Sequence, residues 1–261
     1  MGIAASSRST GAEAAAAVRI LALDTATQAT AVALRADGRV LQARDDPEPG
    51  QRPRHAAALL PLAAALLERA GIGFSDLDRI AVGVGPGTFT GLRIGVASAR
   101  ALARAASIPL VGVSTLQSLA LNALAFRELA SVDSVVAVLD ARRGEAFAAA
   151  WRRTDLQTDV GGLAASALIA PAAFAPEALG VRLHALGPSS LALGEGAVEF
   201  KALLERSGAF VPDGGSSLHL VTAVNHCLIA SHLAPADPDA VDPEYLRLPD
   251  AEIARRAAGS K

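Results

Sequence analysis

Lysine is almost missing from this 261-residue chain: Lys201 and Lys261 are the only two, and arginine carries nearly all the positive charge. Cysteine is missing but for Cys227, which excludes a disulfide framework and a cysteine-built zinc site. Aromatic residues make up only 3%, with one Trp and one Tyr. That leaves little material for a base-stacking surface. No excess of basic charge exists either, since the net charge is −2, and this argues against gripping nucleic acid by charge alone. Long apolar runs are also wanting. The longest, Ala56–Leu67, is too short for a membrane span and holds Pro61. Met1–Ala17 lacks the charged head and apolar stretch of a signal peptide. It reads as a disordered extension, with Val18 as the alternative start under a GTG codon. The cytoplasm is the default compartment.

What is present is alanine, within a hydrophobic fraction of 51%. Small side chains let helices approach closely. Arg19–Leu23 reads as a buried strand, and Asp24-Thr25-Ala26-Thr27-Gln28 as a turn. Two further strands, Ala29–Leu34 and Val40–Ala43, join at Asp37-Gly38. His55–Ala70 is a helix stopped by Gly71. The strand Ile80–Val84 leads into Gly85-Pro86-Gly87-Thr88-Phe89-Thr90-Gly91 and a helix over Leu92–Ala106. Ser114 is a candidate N-cap for a helix over Leu116–Ala130. A second strand–Asp–turn–strand unit follows at Ser134–Arg152, so the chain reads as a duplicated α/β unit. Thr154–Gly194 shows no clear pattern, and Gly194–Ser207 and Leu218–Leu233 look helical.

Asp24 and Thr25 either close a hairpin or face an anion with hydroxyls and backbone N–H groups. The glycine loop either makes a tight strand–helix turn or lets a phosphate or another chain come close. It is not a P-loop, because Leu92-Arg93 follows Gly91 where Lys-Ser or Lys-Thr is required. Gly91, Gly95, Ala99 and Ala103 recur every four residues, and His55–Ala70 is apolar almost all round. Those two helices are either fully internal or part of an interface with another chain. His55 has Leu59 four residues on, so no His-x-x-x-His pair exists, and the other histidines are not at ligand spacing. Cys227 fits a buried small hydrophobe. Arg142-Arg143 with Glu145 reads as a solvated turn or, less simply, a clamp for an acidic group.

The segments ILALDTATQATAVAL (Ile20–Leu34), HAAALLP from His55, GVGPGTFTGLRIGVASARALA (Gly83–Ala103), GVSTL (Gly112–Leu116), LDARRGEAF (Leu139–Phe147) and DPEYLR (Asp242–Arg247) occur in this order. Together they resemble the TsaB (YeaZ) family of bacterial tRNA threonylcarbamoyladenosine biosynthesis proteins. The resemblance implies an α/β actin-like ATPase (ASKHA) fold with two lobes of mixed sheet flanked by helices. It divides the chain into an extension (1–17), an N-terminal lobe (18–115), a C-terminal lobe (116–235) and a tail (236–261). It also implies a non-catalytic partner of a TsaD-type transferase, joined by a TsaE-type ATPase, with tRNA met through the complex and a homodimer when the partner is absent. The implied interface residues are His55, Leu59, Leu62, Ala63, Leu66, Gly95, Ala99 and Ala103. The implied vestigial phosphate-type turns hold Asp24, Thr25, Gly85, Gly87 and Gly91. Neither a catalytic residue nor a metal ligand is implied, nor a resident cofactor, with an interface nucleotide left open. The competing reading is a stand-alone enzyme of the same fold, a glycoprotease-type metallopeptidase or a kinase-like ATPase.

Overall fold

The computed structural model describes residues 18–48 and 50–247. The expected extension 1–17 and the end of the tail lie outside them. The chain opens with strands β1 (Ile20–Asp24), β2 (Thr30–Ala36) and β3 (Arg39–Asp45), then helix α1 (His55–Ala70) and β4 (Arg79–Gly85). Helix α2 (Phe89–Ala106) and β5 (Leu110–Ser114) complete the first sheet, in the order β3-β2-β1-β4-β5. After the short helix α3 (Thr115–Ala120) the scheme repeats. Strands β6 (Ser134–Arg142) and β7 (Glu145–Arg152) lead through α4 (Arg153–Thr158) to β8 (Ile169–Phe174). Next come α5 (Pro176–Leu186), β9 (Ser190–Leu193), α6 (Glu195–Glu199), α7 (Lys201–Arg206) and β10 (Ala209–Phe210). The second sheet runs β8-β7-β6-β9-β10, the same order as the first. In each sheet the leading strand pairs antiparallel with the next strand and parallel with the strand after the crossover. The duplication inferred from the sequence is therefore a duplication of topology, and the fold is actin-like.

Strand alternation sorts the core into three layers. Ile20 and Ala22 of β1 and Val135, Ala137 and Leu139 of β6 face the space between the sheets. Leu21 and Leu23 face outward onto α1 and α2, and Val136 and Val138 face the helices of the second lobe. The central layer also contains α3 and helix α8 (Ala223–His232), through Leu116, Leu119, Cys227 and Ile229. Alanine on the inward face of β1, β2 and β6 gives these helices room. Although α8 lies within the span assigned to the C-terminal lobe, it packs on β1 and β2. The segment after it, 236–247, is also ordered. Ala236 bridges to Leu110, Glu244 N donates to Val84 O at 2.7 Å, and Val241 is buried in the first lobe.

Local chemistry accounts for the turns. Asp37 and Gly38 both take positive φ, as the tight β2–β3 hairpin requires. Gly71 ends α1 in the left-handed conformation, and Ile72 N donates to Leu67 O. Thr88 caps α2, which starts three residues before the expected Leu92. Ser114 caps α3 as expected, but the helix stops at Ala120 and continues as a 3-10 turn over Leu121–Ala125 rather than reaching Ala130. The expected helix over Gly194–Ser207 is split at Phe200 into α6 and α7. Its second counterpart begins at Ala223 rather than Leu218.

Candidate functional site

The two turns singled out as phosphate-type meet each other. Thr25 Oγ1 donates to Gly91 O at 2.7 Å, and Thr88 N donates to Ala26 O at 2.7 Å. A Cβ on Gly87 would lie 2.4 Å from Ala26 O, and one on Gly91 would lie 2.0 Å from Thr25 O. On Gly95 it would meet Thr25 Oγ1 at 2.4 Å. These glycines are thus needed for close contact between α2 and the β1 turn. Gly85 is likewise covered, by Glu244 O. Backbone of the β1 turn and of the glycine loop is thus in direct contact.

Asp24 is 1% exposed. Its Oδ1 accepts from Ala26 N at 3.0 Å, and its Oδ2 lies 3.0 Å from Nε2 of His226, which is fully buried on α8. The latter pair is off the line of a directional hydrogen bond, so the contact is mainly electrostatic. On the far side of the ring, Nδ1 faces Ser118 Oγ at 2.9 Å and Thr222 O at 3.1 Å. Ser118, His226 and Asp24 therefore form a closed internal chain joining α3, α8 and β1. It resembles a catalytic triad in composition, but every member is buried, so no substrate reaches the serine. Nothing in the sequence linked Asp24 to a histidine 202 positions away.

The corresponding residue of the second unit, Asp140, makes the same local turn, with Oδ1 accepting from Arg142 N at 2.6 Å. Its partner is Arg142 at 3.1 Å, on the surface. The Arg142–Glu145 turn is not a clamp: Arg142 pairs back onto Asp140, and Glu145 pairs with Arg247 at 2.8 Å. Between these two turns, a cavity of about 230 Å³ is lined by Thr27, Arg44, Glu195 and His219. His219 closes the cavity floor by accepting from Gly194 N at 3.1 Å.

The structure places most of the expected interface residues inside the first lobe. His55, Leu59, Ala63, Leu66, Gly95, Ala99 and Ala103 are all buried there, and Leu62 is partly buried against the same core. Their apolar pattern serves the packing of α1 and α2 onto β1, β2 and β4, which leaves Leu62 alone among them with a side chain reaching solvent. His55 Nδ1 lies 2.9 Å from Thr30 Oγ1, and burial lowers its pKa. What α1 shows to solvent is the opposite face: Ala56, Ala57, Leu60, Pro61, Ala64 and Ala65, with no charge before Glu68. Leu60 is 47% exposed. On α2 the exposed residues include Ala97 and Ala101. The sequence did signal two apolar faces on α1, and the assignment of the faces needed the sheet. Among the described residues there is no group of three or more His, Cys, Asp or Glu side chains able to hold a metal, and no helix long and apolar enough to cross a membrane. Cys227 is buried, and its thiol is pushed up to about 12.

The fold and these turns define a class: a two-lobed actin-like protein whose β1 turn and glycine loop pack directly on each other. The sequence model of a family described as TsaD: tRNA N6-adenosine threonylcarbamoyltransferase matches residues 47–254. The tRNA threonylcarbamoyladenosine biosynthesis protein TsaB of Escherichia coli is 36% identical over 197 residues, covering 76% of this chain and 80% of that protein. The TsaB protein of Bacillus subtilis is 34% identical over 128 residues, covering 49% and 52%. A Pseudomonas aeruginosa structure titled as similar to peptidase YEAZ superposes with a TM-score of 0.71 at 30% identity, covering 88% of this chain and all of that one. The chain belongs to the TsaB (YeaZ) family, within the pathway of tRNA threonylcarbamoyladenosine formation.

Proposed function

We propose that this chain is a non-catalytic subunit that seats a TsaD-type transferase on the exposed face of α1 and α2. The observation that carries the reading is that face: α1 presents alanine, Leu60 and Pro61 to water for three turns without a charge. Small side chains on both helices suit close antiparallel packing of a second helix pair. In the partner's absence, the same face suits a homodimer. The transferase then holds tRNA and performs the chemistry, with a TsaE-type ATPase joining the assembly. A cytoplasmic site of action follows from work on tRNA.

The stand-alone enzyme is disfavoured by Asp24. A metallopeptidase or kinase-like ATPase needs a carboxylate open to metal, water or phosphate. Here Asp24 is 1% exposed, with Oδ1 taken by Ala26 N and Oδ2 facing the His226 ring rather than an open site. This reading assigns no resident cofactor to the chain, and any nucleotide belongs to the subunit interface. The test is reconstitution of threonylcarbamoylation on tRNA from purified TsaD-type and TsaE-type subunits. Product should form with this chain and fall to background without it. Full activity in its absence would refute the proposal.

A further inference from the structure

The segment 236–247 lies as a strap along α2, and the two surfaces carry opposite charge. Arg93, Arg100 and Arg104 stand seven and four residues apart, which at about 100° per residue puts them within about 40° of one another. They form one stripe about 16 Å long. The strap supplies carboxylates to it. Arg100 pairs with Asp242 at 2.5 Å, and Arg104 pairs with Asp239. Arg100 also donates to the carbonyls of Pro238 and Asp239. At the head of the stripe Arg93 lies 3.8 Å over the Phe89 ring and donates to Tyr245 Oη at 3.2 Å, while Phe89 and Tyr245 stack at 5.1 Å. Phe89 and Tyr245 are 36% and 41% exposed. In a chain with a single tyrosine and seven phenylalanines, an exposed pair of rings beside an arginine is not casual decoration.

Two different kinds of attachment hold the strap. Val241 is buried and the backbone is tied at Ala236 and Glu244. The carboxylates, by contrast, are in water: the side chains of Asp239 and Asp242 are 63% and 77% exposed. Exposed ion pairs of this kind are weak and screened by salt. They can be exchanged for another anion while Val241 keeps the strap in place.

We infer that the Arg93–Arg100–Arg104 stripe is a contact for an RNA phosphate backbone, masked in the free chain by Asp239 and Asp242. Resting on the tRNA-modification reading above, the inference adds a direct RNA contact that the net charge of −2 concealed. Phosphates replace the two carboxylates on the arginines, and the Phe89–Tyr245 pair offers a ring face to an unpaired base at the end of the stripe. RNA is favoured over an acidic protein because stacking rings and a linear row of arginines occur together.

The experiment measures binding of an unmodified tRNA transcript to the full chain over a salt series. Asp239→Asn with Asp242→Asn should tighten binding several-fold, because phosphates then reach Arg100 and Arg104 without displacing a carboxylate. Adding Arg100→Gln and Arg104→Gln should abolish that gain. Unchanged affinity in the Asp variant would overturn the inference, as would a gain that survives loss of both arginines. So would altered binding of the transferase subunit with RNA affinity unchanged, the sign of an acidic protein as the ligand. Reconstituted threonylcarbamoylation with the wild-type chain, run in parallel, separates the two failures. Stimulated activity without tighter RNA binding rejects the masked stripe alone, whereas absent stimulation rejects the subunit reading.

Discussion

The two lobes share one topology and differ in what their outer helices show to water. In the first, α1 buries one face on the sheet and exposes Ala57, Leu60, Pro61 and Ala64 on the other. In the second, α5 and α7 expose Glu177, Arg182, His184, Glu205 and Arg206. An apolar exposed face costs solubility unless it is covered, and a charged one does not. One copy of the unit thus has a charged exterior, while the other carries the apolar face proposed above for a partner. The same divergence occurs at the strand ends. Asp24 and Asp140 make the same two-residue turn, yet one is locked inside by His226 and the other is paired at the surface with Arg142.

The largest effect should come from charging the exposed face. Leu60→Glu with Ala64→Glu should abolish binding of the TsaD-type subunit and leave the melting temperature nearly unchanged. The matched change Val181→Glu, on the 72% exposed outer residue of α5, should do neither. Co-purification and thermal melts read both. Leu66→Glu is not a usable substitute: Leu66 is fully buried, and the charge would unfold the lobe.

The strand-end comparison predicts unequal costs. His226→Leu leaves a buried carboxylate without its partner and should destabilise by about 3–5 kcal/mol. Arg142→Ala breaks a pair whose arginine is exposed and whose Asp140 is only partly buried, and it should cost less, about 1 kcal/mol. Urea denaturation distinguishes them, and Asp24→Ala should recover part of the His226→Leu loss. Gly91→Ala forces a Cβ toward Thr25 O and should cost about 1–3 kcal/mol by the same assay.

A smaller effect concerns pH. His55 is buried beside Thr30, and burial lowers its pKa from 6.5. The unfolded chain then binds a proton that the folded chain resists. Stability from this group is present above about pH 6.5 and is lost as the pH falls below it. Melting temperature should decline over that acid range, and His55→Gln should flatten the decline.

Much of this was legible in the sequence because it is written in local rules. Short unbroken apolar runs gave β1 and β6, Gly71 gave the end of α1, and Asp37-Gly38 gave the hairpin. Order of motifs gave the family. Which face of α1 meets the sheet was not legible. In His55–Ala70 both faces are apolar, so periodicity alone does not say which one the lobe's own sheet covers. The sheet settles it by taking Leu59, Ala63 and Leu66. Long-range polar contacts left no trace at all. His226 on Asp24, and Asp239 and Asp242 on the α2 arginines, join residues more than a hundred positions apart. The β8 and β9 strands were hidden because Pro171 and alanine blur their pattern.

The central claim is that the exposed α1–α2 face of the first lobe receives the transferase subunit. Sedimentation velocity on an equimolar mixture with a TsaD-type protein tests it most directly. A heterodimer should form with the wild-type chain and vanish with Leu60→Glu and Ala64→Glu, both proteins then sedimenting apart and folded. A complex that persists in the double variant would contradict it.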